Sequence, residues 1–269
     1  MYTKTDIFDA LEKMGVPRNG AVIVHSAYSL VGEVESGAEG FLDALIEYFT
    51  AQGGLLCVPT HTWGKLGETD LTLDMTERYT NLGLLARLAL DDGRGIRTEN
   101  PTHSMVIFGD REKAQRFAEC ERSVKTPTSP EGCYAKLCDE GGCVLLVGVS
   151  HTKNTLLHAV DEMLGTPNRM EKEPIHLSVK RESGEMISRE FYMFDEGYAG
   201  DLSHKFDKFE VAFRYYGLVK DGFIGDAPAM LCDARGMKDV MALIYSRCDG
   251  VDPLLTDDPL FPRLFVKKS

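Results

Sequence analysis

Short, wholly apolar runs alternate with helix-period segments along the first 165 residues, and this alternation limits the fold more than any other feature. The runs are Ala21-Val22-Ile23-Val24, Leu55-Leu56-Cys57-Val58 and Cys143-Val144-Leu145-Leu146-Val147, and Ser104-Met105-Val106-Ile107-Phe108 reads as a further strand. A run without a polar member has no face to show to water, so each reads as a strand covered on both sides. The intervening segments repeat with helical period. Ile7, Leu11 and Met14 fall at i, i+4 and i+7 in a helix opened by Thr5. Ser36 and Glu39 have capping-box spacing ahead of Phe41, Leu42, Leu45, Ile46 and Phe49. Leu82, Leu85 and Leu88 mark another helix; Asp110 caps a charged one, and residues 154–164 follow the last apolar run. Strands and helices in alternation imply an α/β protein, a three-layer αβα sandwich around a mostly parallel central sheet.

The pattern changes after residue 170. Residues 175–181 and 186–194 alternate apolar and polar side chains around Ser183-Gly184, as in a hairpin added antiparallel to the sheet. Phe206, Phe209 and Phe213, then Val240, Leu243 and Ile244, form helical stripes that read as core. Without a repeat, a low-complexity tract or a long linker, residues 1–269 read as one domain.

Charge and cysteine usage narrow the partners. Lys plus Arg number 30 against 42 Asp plus Glu, a net charge of −12. That balance argues against nucleic acid and favours cationic ligands. The N-terminus has no apolar signal segment, and no run has transmembrane length, so no membrane partner is expected. Seven scattered Cys do not pair off as a disulfide framework, which suits a reducing cytoplasm. Cys133, Cys138 and Cys143 are spaced by five, which does not share a helical face, so they read as structural thiols rather than zinc ligands.

In α/β sheets ligands bind beyond the carboxyl ends of the strands. His25-Ser26 follows the first apolar run, and Pro59-Thr60-His61-Thr62-Trp63, with the only Trp, follows the second. Ser150-His151, Asn154-Thr155 and His158 follow the last. Three such exits imply a shared polar crevice. His158 sits about one turn into a helix, where the helix N-terminus favours the neutral imidazole that a general base requires. Glu162 lies at i+4, placed to hold the ring or bind a substrate ammonium. His25 either satisfies backbone groups or acts in the site; His61 is equally open, and His176 and His204 read as structural. Gly-x-Gly-x-x-Gly, Walker, Gly-x-Ser-x-Gly and His-Glu-x-x-His motifs are absent, and a metal held by His151, His158 and Asp161 is not favoured.

Taken in order, these segments resemble one family. Val24-His25-Ser26, Gly37-Ala38, Pro59-Thr60-His61-Thr62, Asn100-Pro101-Thr102-His103-Ser104, Ser129-Pro130-Glu131-Gly132 and Gly148-Val149 through His158 and Glu162 resemble the aminoglycoside 3-N-acetyltransferases, from about residue 5 to about residue 250. Two positions depart from the usual pattern: Asn100 stands where the family commonly has His, and Ala27 replaces the second of two Ser. The resemblance implies acetyl transfer from acetyl-coenzyme A to the 3-amino group of a deoxystreptamine ring, with no metal. It makes His158 the catalytic histidine and Glu162 its acidic companion. It puts Ser26, Ala27, Tyr28, His103 and Ser104 on the coenzyme A side, and Thr60 to Trp63 where acetyl group and acceptor meet.

The chemistry then needs an oxyanion receptor, for which Thr60 is a candidate. It also needs carboxylates for a polycationic acceptor, for which Trp63, Asp70, Glu162, Asp195 and Glu196 form the expected surroundings, with Glu68 and Asp161 as further carboxylates. Two other readings stay open: an N-acetyltransferase for a non-aminoglycoside amine, and a protein that binds an acyl-coenzyme A or a polyamine without turnover. Monomer and homodimer are both compatible with the sequence.

Overall fold

The computed structural model describes residues 1–65 and 72–266. In chain order its strands are β1 (Ala21–Ser26), β2 (Leu55–Pro59), β3 (Thr72–Asp74), β4 (Ile96–Arg97) and β5 (Met105–Phe108). Then come β6 (Cys143–Val147), β7 (Ile175–Lys180), β8 (Met186–Phe191), β9 (Val219–Ile224) and β10 (Ala227–Asp233). The helices are α1 (Lys4–Met14), α2 (Gly37–Thr50), α3 (Leu84–Asp91), α4 (Arg111–Ala118) and α5 (Cys133–Asp139). They continue with α6 (Leu156–Met163), α7 (Glu196–Ala199), α8 (Glu210–Tyr215) and α9 (Ala234–Tyr245).

Seven strands form the central sheet in the order β4-β5-β2-β1-β6-β10-β9. At its centre β1 runs parallel to β2 and to β6, with Ile23 opposite Cys57 and Ser26 opposite Val147. The expected parallel arrangement holds there. The outer pairings β5–β2, β4–β5, β10–β6 and β9–β10 are antiparallel, so the sheet is mixed. Burial explains why the sequence does not separate these cases: β5 is as fully buried as β2, and burial reports that both faces are covered, not which way the chain runs.

Alternate residues of the strands feed two separate cores. Ile23, Cys57, Ile107, Val144 and Leu146 pack with α4, α5, α6, α8 and α9. Val22, Val24, Leu56, Val58, Leu145 and Val147 pack with α1, α2 and α3. This is the three-layer sandwich that the alternation requires. Each fully buried Leu, Ile or Phe contributes about 1.5–3 kcal/mol to it.

The hairpin does form, with β7 antiparallel to β8, but it does not extend the central sheet. It joins β3 in a second sheet of order β3-β7-β8, with β3 parallel to β7. Its alternating pattern supplies one apolar face only, and Leu177, Val179 and Phe191 are buried. Leu177 and Phe191 cluster with Val124, away from both main cores. Two helix starts also differ from expectation. Thr3, not Thr5, caps α1 in a capping box with Asp6. Ser36 precedes α2 in a left-handed conformation (φ 61°) and makes no side-chain cap bond.

Candidate active site

The carboxyl ends of β1, β2 and β6 point the same way because the three strands are parallel, and they open into one cavity of about 1050 Å³. That is at the upper end of the usual range for small-molecule sites. His25 and Ser26 reach it from β1, His61 and Trp63 from beyond β2, and Thr152, Lys153, Asn154, Thr155 and His158 from beyond β6. His103 joins them from the start of β5. Residues 193–196, 200–204 and 206, which follow the small sheet, also line the cavity, as do Asn81, Leu82, Gly83, Leu85 and Ala86.

Five histidines line the cavity, and four of them, His25, His61, His103 and His158, are held in the neutral form. Burial lowers His25 and His158 to about 4 and His103 to about 3, and pushes His61 well below its ordinary value. His61 Nε2 lies 2.9 Å from the Tyr134 hydroxyl, and its ring centroid is 4.3 Å from that of His103. His103 Nδ1 lies 3.0 Å from Thr102 Oγ1. The backbone beneath His103 is fixed by Asn100, whose Oδ1 accepts from His103 N at 2.8 Å and Thr102 N at 3.1 Å. Asn100 Nδ2 donates in turn to buried Glu121 at 2.8 Å and to the Pro127 carbonyl at 3.0 Å. The residue that departs from the family pattern is thus the hub of this loop.

His158 is the third residue of α6, which starts at Leu156 after a 3-10 turn (His151–Lys153). Its imidazole stacks on Phe194 (centroids 4.6 Å, planes 28° apart) and meets Phe206 edge-on (4.6 Å, 71°). The neutrality anticipated from helix position is present, with burial as its main cause; Asp201 acts against it and Arg169 with it.

Several anticipated residues sit elsewhere. Glu162 is not on the cavity wall. Its carboxylate accepts from Thr126 Oγ1 at 2.5 Å, from Thr128 N at 3.1 Å and from the Thr128 hydroxyl. Burial pushes it up to about 7 despite these donors. A spacing of i+4 puts Glu162 on the same flank of α6 as His158 but does not say what packs between them. Thr60 is fully buried, its hydroxyl 3.0 Å from Ser104 Oγ, and Ser104 donates back to the Thr60 carbonyl at 2.9 Å. Thr60 and Ser104 therefore tie β2 to β5 behind the wall, and neither presents a hydroxyl to the cavity. Ala27 and Tyr28 also lie off the wall: Ala27 N donates to the Val147 carbonyl at 2.9 Å, and the Tyr28 ring packs on Phe41.

Of the anticipated coenzyme A side, Ser26 and His103 line the cavity. Ser26 Oγ, His25 Nε2 and Asn154 Oδ1 are buried there without a hydrogen bond to any described residue. Of the anticipated acceptor residues, Trp63, Asp195 and Glu196 line the cavity, while Asp70 and Glu68 lie outside the described residues. Asp161, Glu171 and Asp201 add carboxylates to the wall, and His204, read as structural, lines it at 3.3 Å from Asp201. Asp161 is itself engaged, accepting from Arg169 Nε at 2.8 Å and from the Tyr245 hydroxyl at 2.7 Å. Phe194, Asp201 and the 81–86 wall were missed; Asp201 carries a signal, since Asp-x-Ser is a cap pattern, and its Oδ1 accepts from Ser203 N at 2.9 Å.

His151 turns away to Phe213 and Asn154, so it does not meet His158 and Asp161 as a metal set. Among the described residues the group with metal-ligand proximity is Cys120, Glu121 and Cys133 instead.

A model of the family described as aminoglycoside 3-N-acetyltransferase matches residues 23–245. The chain belongs to this family. Aminoglycoside N(3)-acetyltransferase IV from Salmonella sp is 25% identical over 257 residues, covering 94% of this chain and 90% of the relative. Among solved structures, AAC-IIIb in a binary complex with CoASH superposes with a TM-score of 0.75 at 23% identity, covering 93% of this chain and 99% of that one. A mutant of AAC(3)-IVa in complex with apramycin gives 0.71 at 22% identity, covering 96% and 98%. These likenesses establish that this 3-N-acetyltransferase family member has the fold of those enzymes. No helix among its described residues is long and apolar enough to cross a membrane.

Proposed function

We propose that the protein transfers an acetyl group from acetyl-coenzyme A directly to the 3-amino group of an aminoglycoside, with His158 as general base. The observation that carries this reading is a neutral imidazole set in a cavity lined by one set of residues, Ser26, His25 and Asn154, and by a second, acidic set, Asp195, Glu196 and Asp201. Acetyl-coenzyme A supplies the acyl group, and the first set lines its thioester end. The carboxylates draw the ammonium groups of the acceptor.

An amine attacks only after losing its proton. His158 takes that proton as the nitrogen bonds to the thioester carbonyl. The oxyanion that forms needs donors, and with Thr60 behind the wall, Ser26 Oγ and His25 Nε2 are available there, each without a hydrogen bond to any described residue. Collapse of the intermediate breaks the carbon–sulfur bond. A buried imidazolium gives up its proton readily, so His158 protonates the departing thiolate and returns to its neutral state. No enzyme residue is acetylated: Cys57 and Cys133 are buried, and burial raises their thiols far above the thiolate range.

Release of free thiol from acetyl-coenzyme A, measured against a panel of aminoglycosides and simple polyamines, tests the acceptor class. His158→Ala is expected to lower turnover by about 10²–10⁴ with little change in affinity for acetyl-coenzyme A. Near-normal turnover in that variant, or an acetyl group trapped on the protein without acceptor, overturns the mechanism. Thiol release with polyamines but with no aminoglycoside moves the acceptor to another amine class.

A further inference from the structure

We infer that Phe194 is the positioning residue that holds the His158 ring for proton transfer. This rests on His158 being the base, as proposed above. A catalytic imidazole is commonly oriented by a carboxylate or carbonyl on its second nitrogen. Among the described residues no group hydrogen-bonds the His158 ring, and Glu162, the nearest candidate by sequence, is committed to Thr126 and Thr128. What touches the ring is aromatic: Phe194 lies flat against it and Phe206 stands edge-on to it, both with centroids at 4.6 Å. The imidazole is located by contact, so both nitrogens stay open for the amine proton and the leaving thiolate.

Phe194 is well placed for this task. It lies three residues beyond β8, so the small sheet carries it across the cavity. It bridges to Met170, and Asp195 N donates to the Arg169 carbonyl at 2.9 Å, so the backbone is pinned on both sides of the ring. Its ring also meets the edge of His103 at 5.6 Å. A hydrocarbon ring accepts no proton and so does not compete for the imidazole. It also keeps water off one face of His158, which favours the neutral form.

The charges around His158 are few. Asp201, from the segment after α7, favours protonation, and Arg169, from the loop after α6, opposes it. Asp161 on α6 is tied to Arg169, and the neighbouring His61 and His103 are themselves neutral. Removing the Phe194 ring leaves Asp201, Arg169 and Asp161 in place and, among these groups, releases the edge contact to neutral His103. Its loss therefore reads out chiefly the shielding.

Phe194→Ala, Phe194→Leu and Phe194→Tyr test the inference, by NMR titration of labelled histidine and by steady-state kinetics. The His158 resonance is identified by its absence in His158→Gln. In Phe194→Ala the His158 titration is expected to move from about 4 toward its ordinary value of 6.5. Turnover should fall by about 10- to 100-fold, the scale of a misplaced reacting group. The acid limb of the rate profile should move up with the titration, the KM for acetyl-coenzyme A should change little, and Phe194→Tyr should restore both. Phe194→Leu, smaller in effect and same in direction, serves if the Ala variant does not fold. An unmoved titration in a folded Ala or Leu variant overturns the assignment while leaving the base intact, provided His158→Gln is inactive. Equal loss of turnover in Phe194→Tyr also overturns it. Normal turnover in His158→Gln removes the base, and with it the role given to Phe194.

Discussion

Asn100→Ala removes more structure than any other single amide in the site. The wild-type side chain makes four bonds of 2.8–3.1 Å, to His103 N, Thr102 N, Glu121 Oε2 and the Pro127 carbonyl. Asn100 itself is 1% exposed, and the Thr102, His103 and Glu121 it serves are buried, so water does not readily take its place. Leaving a buried donor or acceptor unpaired costs about 1–3 kcal/mol, more beside a charge. Relaxation of the loop shares that cost among the four groups, and a loss of roughly 3–5 kcal/mol follows, a large part of the 5–15 kcal/mol typical of a whole domain. At about 2–4 °C per kcal/mol this lowers Tm by some 6–20 °C. Urea unfolding followed by circular dichroism measures it, with an unchanged m-value showing that both end states are comparable. Asn100→His separates hydrogen bonding from shape. Neutral imidazole has one donor and one acceptor, so it keeps at most two of the four bonds and should fall between Asn and Ala. A loss under about 1 kcal/mol for Asn100→Ala would refute the hub, because it would mean that the loop finds other partners.

The remaining predictions concern charge. Glu162 has a folded-state pKa raised to about 7 by burial, above its ordinary 4.5, so its contribution to stability is fully present below 4.5 and is lost as pH rises through 7. The stability difference between wild type and Glu162→Gln should therefore fall across that window and level off above it, as read by denaturation at each pH. His103 is lowered to about 3 by burial, so its contribution is present above 6.5 and lost as pH falls toward 3. His103→Gln should accordingly flatten the acid limb of stability by about one proton. Acceptor KM should rise with salt, since charge pairs at the mouth are screened over about 8–10 Å. Glu196→Gln, on the exposed wall, should reduce that salt dependence and leave the KM for acetyl-coenzyme A unchanged.

How far the sequence discloses the site depends on what each signal measures. Continuous apolar runs report strands covered on both faces, and three of them are β1, β2 and β6, whose exits do converge. Residue identity just past a run is less informative than its parity. His61 reaches the cavity and Thr60, one residue earlier, points behind it, because successive side chains of an extended chain face opposite ways. Strand β3 is three residues long with no pattern of its own, so the second sheet was not legible. Phe194 was hidden for a different reason. An aromatic residue lining a site and one lining a core follow the same periodicity, and only the partner, here an imidazole, separates them. The acidic wall at 195–205 was legible as a loop, yet which carboxylates face inward is decided by the turn at Asp201.

Arg169 is 6% exposed and joins Asp161 of α6 to Asp252 near the carboxyl end, with the Tyr245 hydroxyl on Asp161 as well. Residues separated by more than eighty positions thus share one buried charge network in the cavity wall. Breaking such a network by removing one member leaves an uncompensated charge, at about 3–5 kcal/mol. The wall at Asp161 and Arg169 and the segment at Asp252 should then open and close as a single unit in hydrogen exchange. A protease that nicks the chain between Tyr245 and Asp252 would release the clasp from a distance. It would loosen that part of the cavity wall while the early strands, with His25 and Ser26 at their tips, stayed folded. Asp252 is in that sense a latch on the part of the cavity wall that Asp161 and Arg169 supply.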